Sequence, residues 1–134
     1  MPSVEPNESL LGKNIANKTV VVTGAGGSIG SELCRQIVLL KPKALILYEI
    51  SELALYAIDK ELSNINTHYS FKIYPILGSV NNKKRLKNLF NRFDVDTVYH
   101  SAAYKHVPMV EFNTTEGIDN NIFGTFNCAL TAIE

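Results

Sequence analysis

Thr19-Val20-Val21-Val22-Thr23 is an unbroken β-branched run, and it leads straight into Gly24-Ala25-Gly26-Gly27-Ser28-Ile29-Gly30. A run of that kind predicts a strand buried on both faces, as in a parallel sheet covered by helices. The glycines predict a tight turn, and Ile29, Leu33, Ile37 and Leu40 then recur at helical spacing. Few folds accept a buried strand, a glycine loop and an amphipathic helix in that order.

The rest of the chain repeats the alternation. Ala44 to Tyr48 predicts a second strand ending at Glu49, and Ser51 is placed to cap a helix with the stripe Leu55, Ile58, Leu62 and Ile65. Phe71 to Leu77 predicts a third strand; Pro75 lacks a ladder donor and assigns it to an edge. A helix with Leu86, Leu89, Phe90 and Phe93 follows, its Lys83, Lys84, Arg85 and Lys87 read as a solvated face. Asp96 to His100 predicts the fourth strand. The last helix begins at Asn113, with Glu116 completing a capping box, and carries Ile118, Ile122, Phe126, Ala129 and Ile133. Right-handed crossovers then give an α/β fold with a doubly wound parallel sheet of Rossmann type, strand order 3-2-1-4. The expected organisation is a linker or arm over residues 1–18, where Pro2, Pro6 and several polar residues flank only Leu10 and Leu11. Residues 19–134 form the first half of a nucleotide-binding domain that stops after the fourth strand and its helix. A fourth strand left at an open edge is a pairing hazard, so a homo-oligomer is an expected partner state.

Composition narrows the classes. Thirteen basic and thirteen acidic residues cancel, which gives no general attraction to nucleic acid. No segment reaches the ~20 apolar residues of a membrane span. Cys34 and Cys128 match no metal spacing and fall on apolar helix faces, so they read as buried small hydrophobes, no metal is expected, and a cytoplasmic protein is the default.

The glycine loop carries the chemistry. Gly24 permits the turn off the strand, Gly26 and Gly27 let backbone approach a pyrophosphate, and Gly30 lets the helix pack close to the sheet. The helix N-terminus at Ser28 and Ile29 offers N–H groups to phosphate oxygens, and Ser28 adds a hydroxyl. A glycine triplet alone also occurs in ordinary turns; the ordered strand, loop, helix, second strand and terminal acid point to a dinucleotide. Glu49, about twenty residues past the loop, is placed to accept from the adenosine ribose and to repel a 2′-phosphate. That favours NAD, with NADP the alternative. The other reading of Glu49 is a surface residue before a helix. After strand 3, Ser79 and the N–H of Val80 are placed to read an adenine edge, although Ser79 is equally a helix-start signal. After strand 4, the small Ala102 and Ala103 let backbone lie against the cofactor, with Tyr104, Lys105 and His106 near any substrate at the switch point.

The Thr23-Gly-x-x-Gly27-x-x-Gly30 pattern resembles that of the extended short-chain dehydrogenases/reductases. Three stretches resemble one branch of that superfamily: GAGGSIGSELCRQI from Gly24 to Ile37, AAYKHVPMVE from Ala102 to Glu111, and Asn120-Asn121-Ile122-Phe123-Gly124-Thr125. The branch is the bacterial polysaccharide-biosynthesis nucleotide-sugar 4,6-dehydratases, lyases such as those acting on UDP-N-acetylglucosamine. The resemblance spans Leu10 to Glu134. It implies that NAD(P) takes hydride from C4 of a UDP-sugar, that water leaves across C5 and C6, and that hydride returns to C6, with the cofactor unchanged overall. It also implies that Asn121 supports the active site and that Lys105 orients substrate or cofactor. The residues leave other readings: Lys105 as a solvated loop lysine, Tyr104 as packing, His106 as a structural hydrogen-bonder, Asn121 bonded to neighbouring backbone and Met109 in the core. The family's catalytic Thr-Asp-Lys cluster and its Tyr or Met with a following Lys have no counterpart up to Glu134. The chain is therefore expected to have no catalytic residue of its own and to be inactive alone, within a parent that the family often anchors at the inner membrane, facing the cytoplasm. Two further readings are a stand-alone NAD(P)-binding module without chemistry, and part of a nucleotide-sugar epimerase or reductase.

Overall fold

The computed structural model describes residues 8–65 and 70–102. Its elements are α1 (Glu8–Ile15), β1 (Thr19–Thr23), α2 (Ser28–Leu39), β2 (Ala44–Glu49), α3 (Glu52–Ile65), β3 (Lys72–Leu77), α4 (Lys83–Phe93) and β4 (Thr97–His100). The four strands form one parallel sheet in the order β3-β2-β1-β4, as the alternation predicts.

All five residues of β1 are buried, and pleating divides them between two cores. Val20 and Val22 join Leu45 and Leu47 of β2 under Cys34, Ile37 and Val38 of α2 and Leu55, Ile58 and Leu62 of α3. Val21 and Ile46 face the other way, onto Leu86, Leu89 and Phe90 of α4. Helices therefore cover both faces, and the C-terminal strand ends converge beside the glycine loop. Pro75 sits opposite Leu47 on β3, which pairs with β2 at the margin of the sheet, the position in a sheet where a residue lacking a donor is tolerated.

Two expectations need correction. Part of the stretch read as linker is the helix α1; Ile15 is buried in the core, and the Asn14 carbonyl accepts from Thr97 Oγ1 at 2.7 Å. Its eight residues include Gly12 and carry too short a stripe to announce a helix. The stripe of α2 is also rotated. Leu33, Ile37 and Leu40 pack against the core as expected, but Gly30, Cys34 and Val38 also face the sheet, and Ile29 is 60% exposed. The cause is Gly30: only a residue without Cβ can sit this close to the Gly24 carbonyl, and putting position 30 inward turns position 29 outward. The basic flank of α4 is exposed as expected, and from it Arg85 donates through Nε and Nη2 to the Leu77 carbonyl at 3.0 and 2.6 Å.

Cys34 is buried as expected, and burial pushes its thiol up to about 12 from an ordinary 9.0. The native thiol keeps its proton where the unfolded chain would ionise, so stability is fully present below pH 9.0 and falls as pH rises from there towards about 12. Peptide-resolved alkylation at mildly alkaline pH is expected to modify Cys34 only after denaturation. Rapid modification of the folded chain would show the thiol to be accessible.

Candidate functional site

The loop between β1 and α2 is anchored from below and open above. Gly24 takes a left-handed conformation, φ +66, and its N–H donates to the Tyr48 carbonyl at 2.8 Å. A Cβ on Gly24 would lie 2.8 Å from the Ala102 Cα, so the chain leaving β4 rests on the turn leaving β1. Gly26 is closed in as well: a Cβ there would meet the Ala54 Cβ of α3 at 2.5 Å. Its lack of a side chain thus serves helix packing, a reason the sequence does not reveal. Gly27, Ser28 and Ile29 form the exposed crest. Gly27 is the N-cap of α2 in extended conformation, without a side-chain cap, so the first-turn N–H groups of the helix sit at that crest.

Glu49 ends β2 directly beneath the loop and is only 8% exposed. One carboxylate oxygen accepts from the Gly26 N–H at 2.8 Å; the other accepts from Ile50 and Ser51 at 3.1 and 3.2 Å. Glu49 is therefore not simply a surface acid before a helix, and Ser51 performs the capping role itself, its Oγ accepting from Ala54 N at 3.3 Å.

Beyond β3, Val80 is buried and packs with Tyr48 and Leu86. Ser79 Oγ accepts from Asn81 N at 3.1 Å, while the cap of α4 is Asn82, whose side chain accepts from Arg85 N. Ser79 thus makes a local turn one step before the helix start. Tyr48, which sequence reasoning treated only as a strand residue, organises this region. It is 1% exposed and donates its hydroxyl to the Ser79 carbonyl at 2.7 Å, joining the loop after β3 to the strand whose backbone holds the glycine turn.

A second missed group closes the ends of β1 and β4. Thr23 Oγ1 lies 2.7 Å from His100 Nδ1, and Ser101 Oγ donates to the Thr23 carbonyl at 2.6 Å. Burial lowers the His100 pKa below its ordinary value, which keeps the ring neutral near pH 7. Ala103, Tyr104, Lys105, His106, Met109 and Asn121 lie outside the described residues, as do the predicted last helix and Cys128. Among the described residues, no group of His, Cys, Asp and Glu could hold a metal ion, and no helix is long and apolar enough to cross a membrane.

Residues 20–134 match the family described as "Polysaccharide biosynthesis protein". The chain is 44% identical over 131 residues to the capsular polysaccharide biosynthesis protein CapD of Staphylococcus aureus, covering 98% of this chain and 22% of that one. It is 37% identical over 113 residues to a UDP-N-acetylglucosamine 4,6-dehydratase (inverting) of Campylobacter jejuni, covering 82% of this chain and 31% of that one. Among solved structures it is similar to Pen from Bacillus thuringiensis, with a TM-score of 0.77 and 29% identity over 90% of this chain and 35% of the other. The chain thus spans between about a fifth and a third of the curated relatives it matches.

Proposed function

The chain belongs to the polysaccharide biosynthesis protein family, within the extended short-chain dehydrogenases/reductases, and from that premise we propose that it holds NAD for a nucleotide-sugar 4,6-dehydratase making surface polysaccharide. The observation that carries the cofactor half of this reading is the Glu49 carboxylate, 2.8 Å from the Gly26 N–H beneath an exposed loop crest. A dinucleotide pyrophosphate laid on Gly27, Ser28 and Ile29 meets helix-end N–H groups, with Gly24, Gly26 and Gly30 shaping the loop below it. Its adenosine ribose then falls beside Glu49, and its adenine beside Ser79 and Val80.

The nicotinamide end is assigned to Ala102, Ala103 and Tyr104, with Lys105 and Asn121 supporting the substrate. Bound NAD supplies a reversible hydride acceptor. The chain's own residues bind and orient it, and the neutral His100–Thr23 pair keeps the floor of the site free of added charge. Support for the dehydratase reaction comes from the identity to the Campylobacter jejuni enzyme named above. A UDP-N-acetylhexosamine is the proposed substrate of the whole protein, on the cytoplasmic side where such sugars are made. This chain by itself is proposed to bind without turnover.

Calorimetric titration tests the cofactor assignment. NAD is expected to bind about tenfold or more tightly than NADP, because Glu49 would face the 2′-phosphate as a like charge. Tighter binding of NADP would sink the role given to Glu49. Loss of water from UDP-N-acetylglucosamine in the presence of the purified chain would sink the claim that it only binds.

A further inference from the structure

On the α4 side of β3, a concavity of about 300 Å³ opens at the sheet margin, with β2 lying between β3 and the strand that carries the glycine loop. Lys84, Arg85 and Arg92 line it together with the Asn88 carboxamide, over an apolar floor that includes Ile76 and Phe93; no acid takes part in the lining. We propose that it is a binding site for a phosphate-bearing anion.

The guanidiniums here are held differently from the other arginine of the described residues. Arg35 is paired with Glu32 and Glu61, so its charge is answered within the fold. Arg85 is fixed by its two bonds to the Leu77 carbonyl, which use two of its five donors and cancel none of its charge. Arg92 lies over the Phe93 ring, 5.1 Å from its centroid, again without an acid. Arg85 is ordered by its carbonyl bonds before any ligand arrives, which lowers the entropy lost on binding. The Cα atoms of Arg85 and Arg92 are seven residues apart on α4, about 10.5 Å along the axis and on nearly the same face, with Asn88 between. Side chains of that length on one helix face can both reach a diphosphate or a phosphate ester seated between them. Three cations in so small a volume match a multiply charged anion better than a single carboxylate, and arginine forks bind phosphate oxygens bidentately. Two sources share this chemistry: a free phosphorylated metabolite and the headgroups of an anionic lipid surface.

The test is a titration of the isotopically labelled full chain with inorganic pyrophosphate, followed by residue-resolved NMR in phosphate-free buffer. Saturable shifts at Arg85, Asn88 and Arg92 are expected, including the arginine Nε–H signals. The exposed double variant Lys84→Gln/Arg92→Gln is expected to weaken them about tenfold or more and to leave any response of the glycine loop unchanged. Co-sedimentation with phosphatidylglycerol-containing and pure phosphatidylcholine vesicles separates the sources. Binding only to the anionic vesicles, lost in the double variant, assigns the headgroup; saturable pyrophosphate binding assigns the free anion. Shifts confined to the glycine loop, or responses equal in wild type and double variant, overturn the proposal.

Discussion

Gly30→Ala is expected to destabilise the chain by about 3 kcal/mol, the upper part of the range for overpacking a closed interior, although alanine is the better helix former by nearly 1 kcal/mol. The added Cβ would stand 2.0 Å from the Gly24 carbonyl oxygen and 2.8 Å from both the Gly24 carbonyl carbon and Ser101 Oγ. None of these is the loose end of a long side chain. The Gly24 carbonyl belongs to the turn that Tyr48 holds from beneath, and Ser101 Oγ is bonded to the Thr23 carbonyl at 2.6 Å. Relief therefore requires α2 to move off the sheet, lifting Cys34 and Val38 out of the core they share with Val20 and Val22. Thermal unfolding should show a fall of about 10 °C for a domain of this size. A melting point within a degree or two of wild type would mean that the loop deforms freely. Gly27→Ala is the informative contrast. A Cβ there meets only the Gly24 carbonyl oxygen at 3.4 Å, so the expected cost is the weaker N-cap, at most about 1 kcal/mol. A clear loss of NAD affinity at nearly unchanged stability would be the mark of a crest that touches ligand.

These two glycines also show what the sequence discloses and what it withholds. The strand order and the loop were legible because a β-branched run, a glycine cluster and regular apolar spacing are local signals. The rotation of α2 was not, because it is set by a contact between the helix and the Gly24 backbone, whose closeness no periodicity encodes. Ile15 was invisible for a related reason: one apolar residue at the end of a short helix becomes core only once the sheet is in place. Thr23 and His100 lie 77 positions apart, and parallel pairing of β1 with β4 is what brings them within 2.7 Å. The position of Glu49 was legible from spacing, since an acid at the tip of the second strand must arrive near the loop. Its bond to Gly26 was not, because backbone donors carry no residue code.

That bond makes Glu49 a strut as well as a ligand group, and substitution there is expected to separate the two roles. In Glu49→Ala, three backbone N–H groups lose their acceptor. Those of the exposed Ile50 and Ser51 can turn to water, whereas Gly26 is pressed against Ala54 and is rewetted less readily. About 2 kcal/mol of stability should be lost, the usual cost of orphaning a poorly solvated donor. Glu49→Gln is the sharper variant. Its amide keeps one oxygen, so either Gly26 or the Ile50–Ser51 pair stays bonded, and about 1 kcal/mol is at stake. It also removes the negative charge. If the carboxylate receives the ribose hydroxyls, Glu49→Gln should weaken NAD about tenfold while NADP, relieved of like-charge repulsion, binds no worse than before. The NAD-to-NADP ratio would then collapse by more than the stability change explains. If Glu49 only braces the loop, both dinucleotides should weaken together, in step with the melting point. Paired titrations on the same variant distinguish these cases, because loosening the loop acts on the pyrophosphate that both cofactors share and charge removal acts on the 2′ position where they differ.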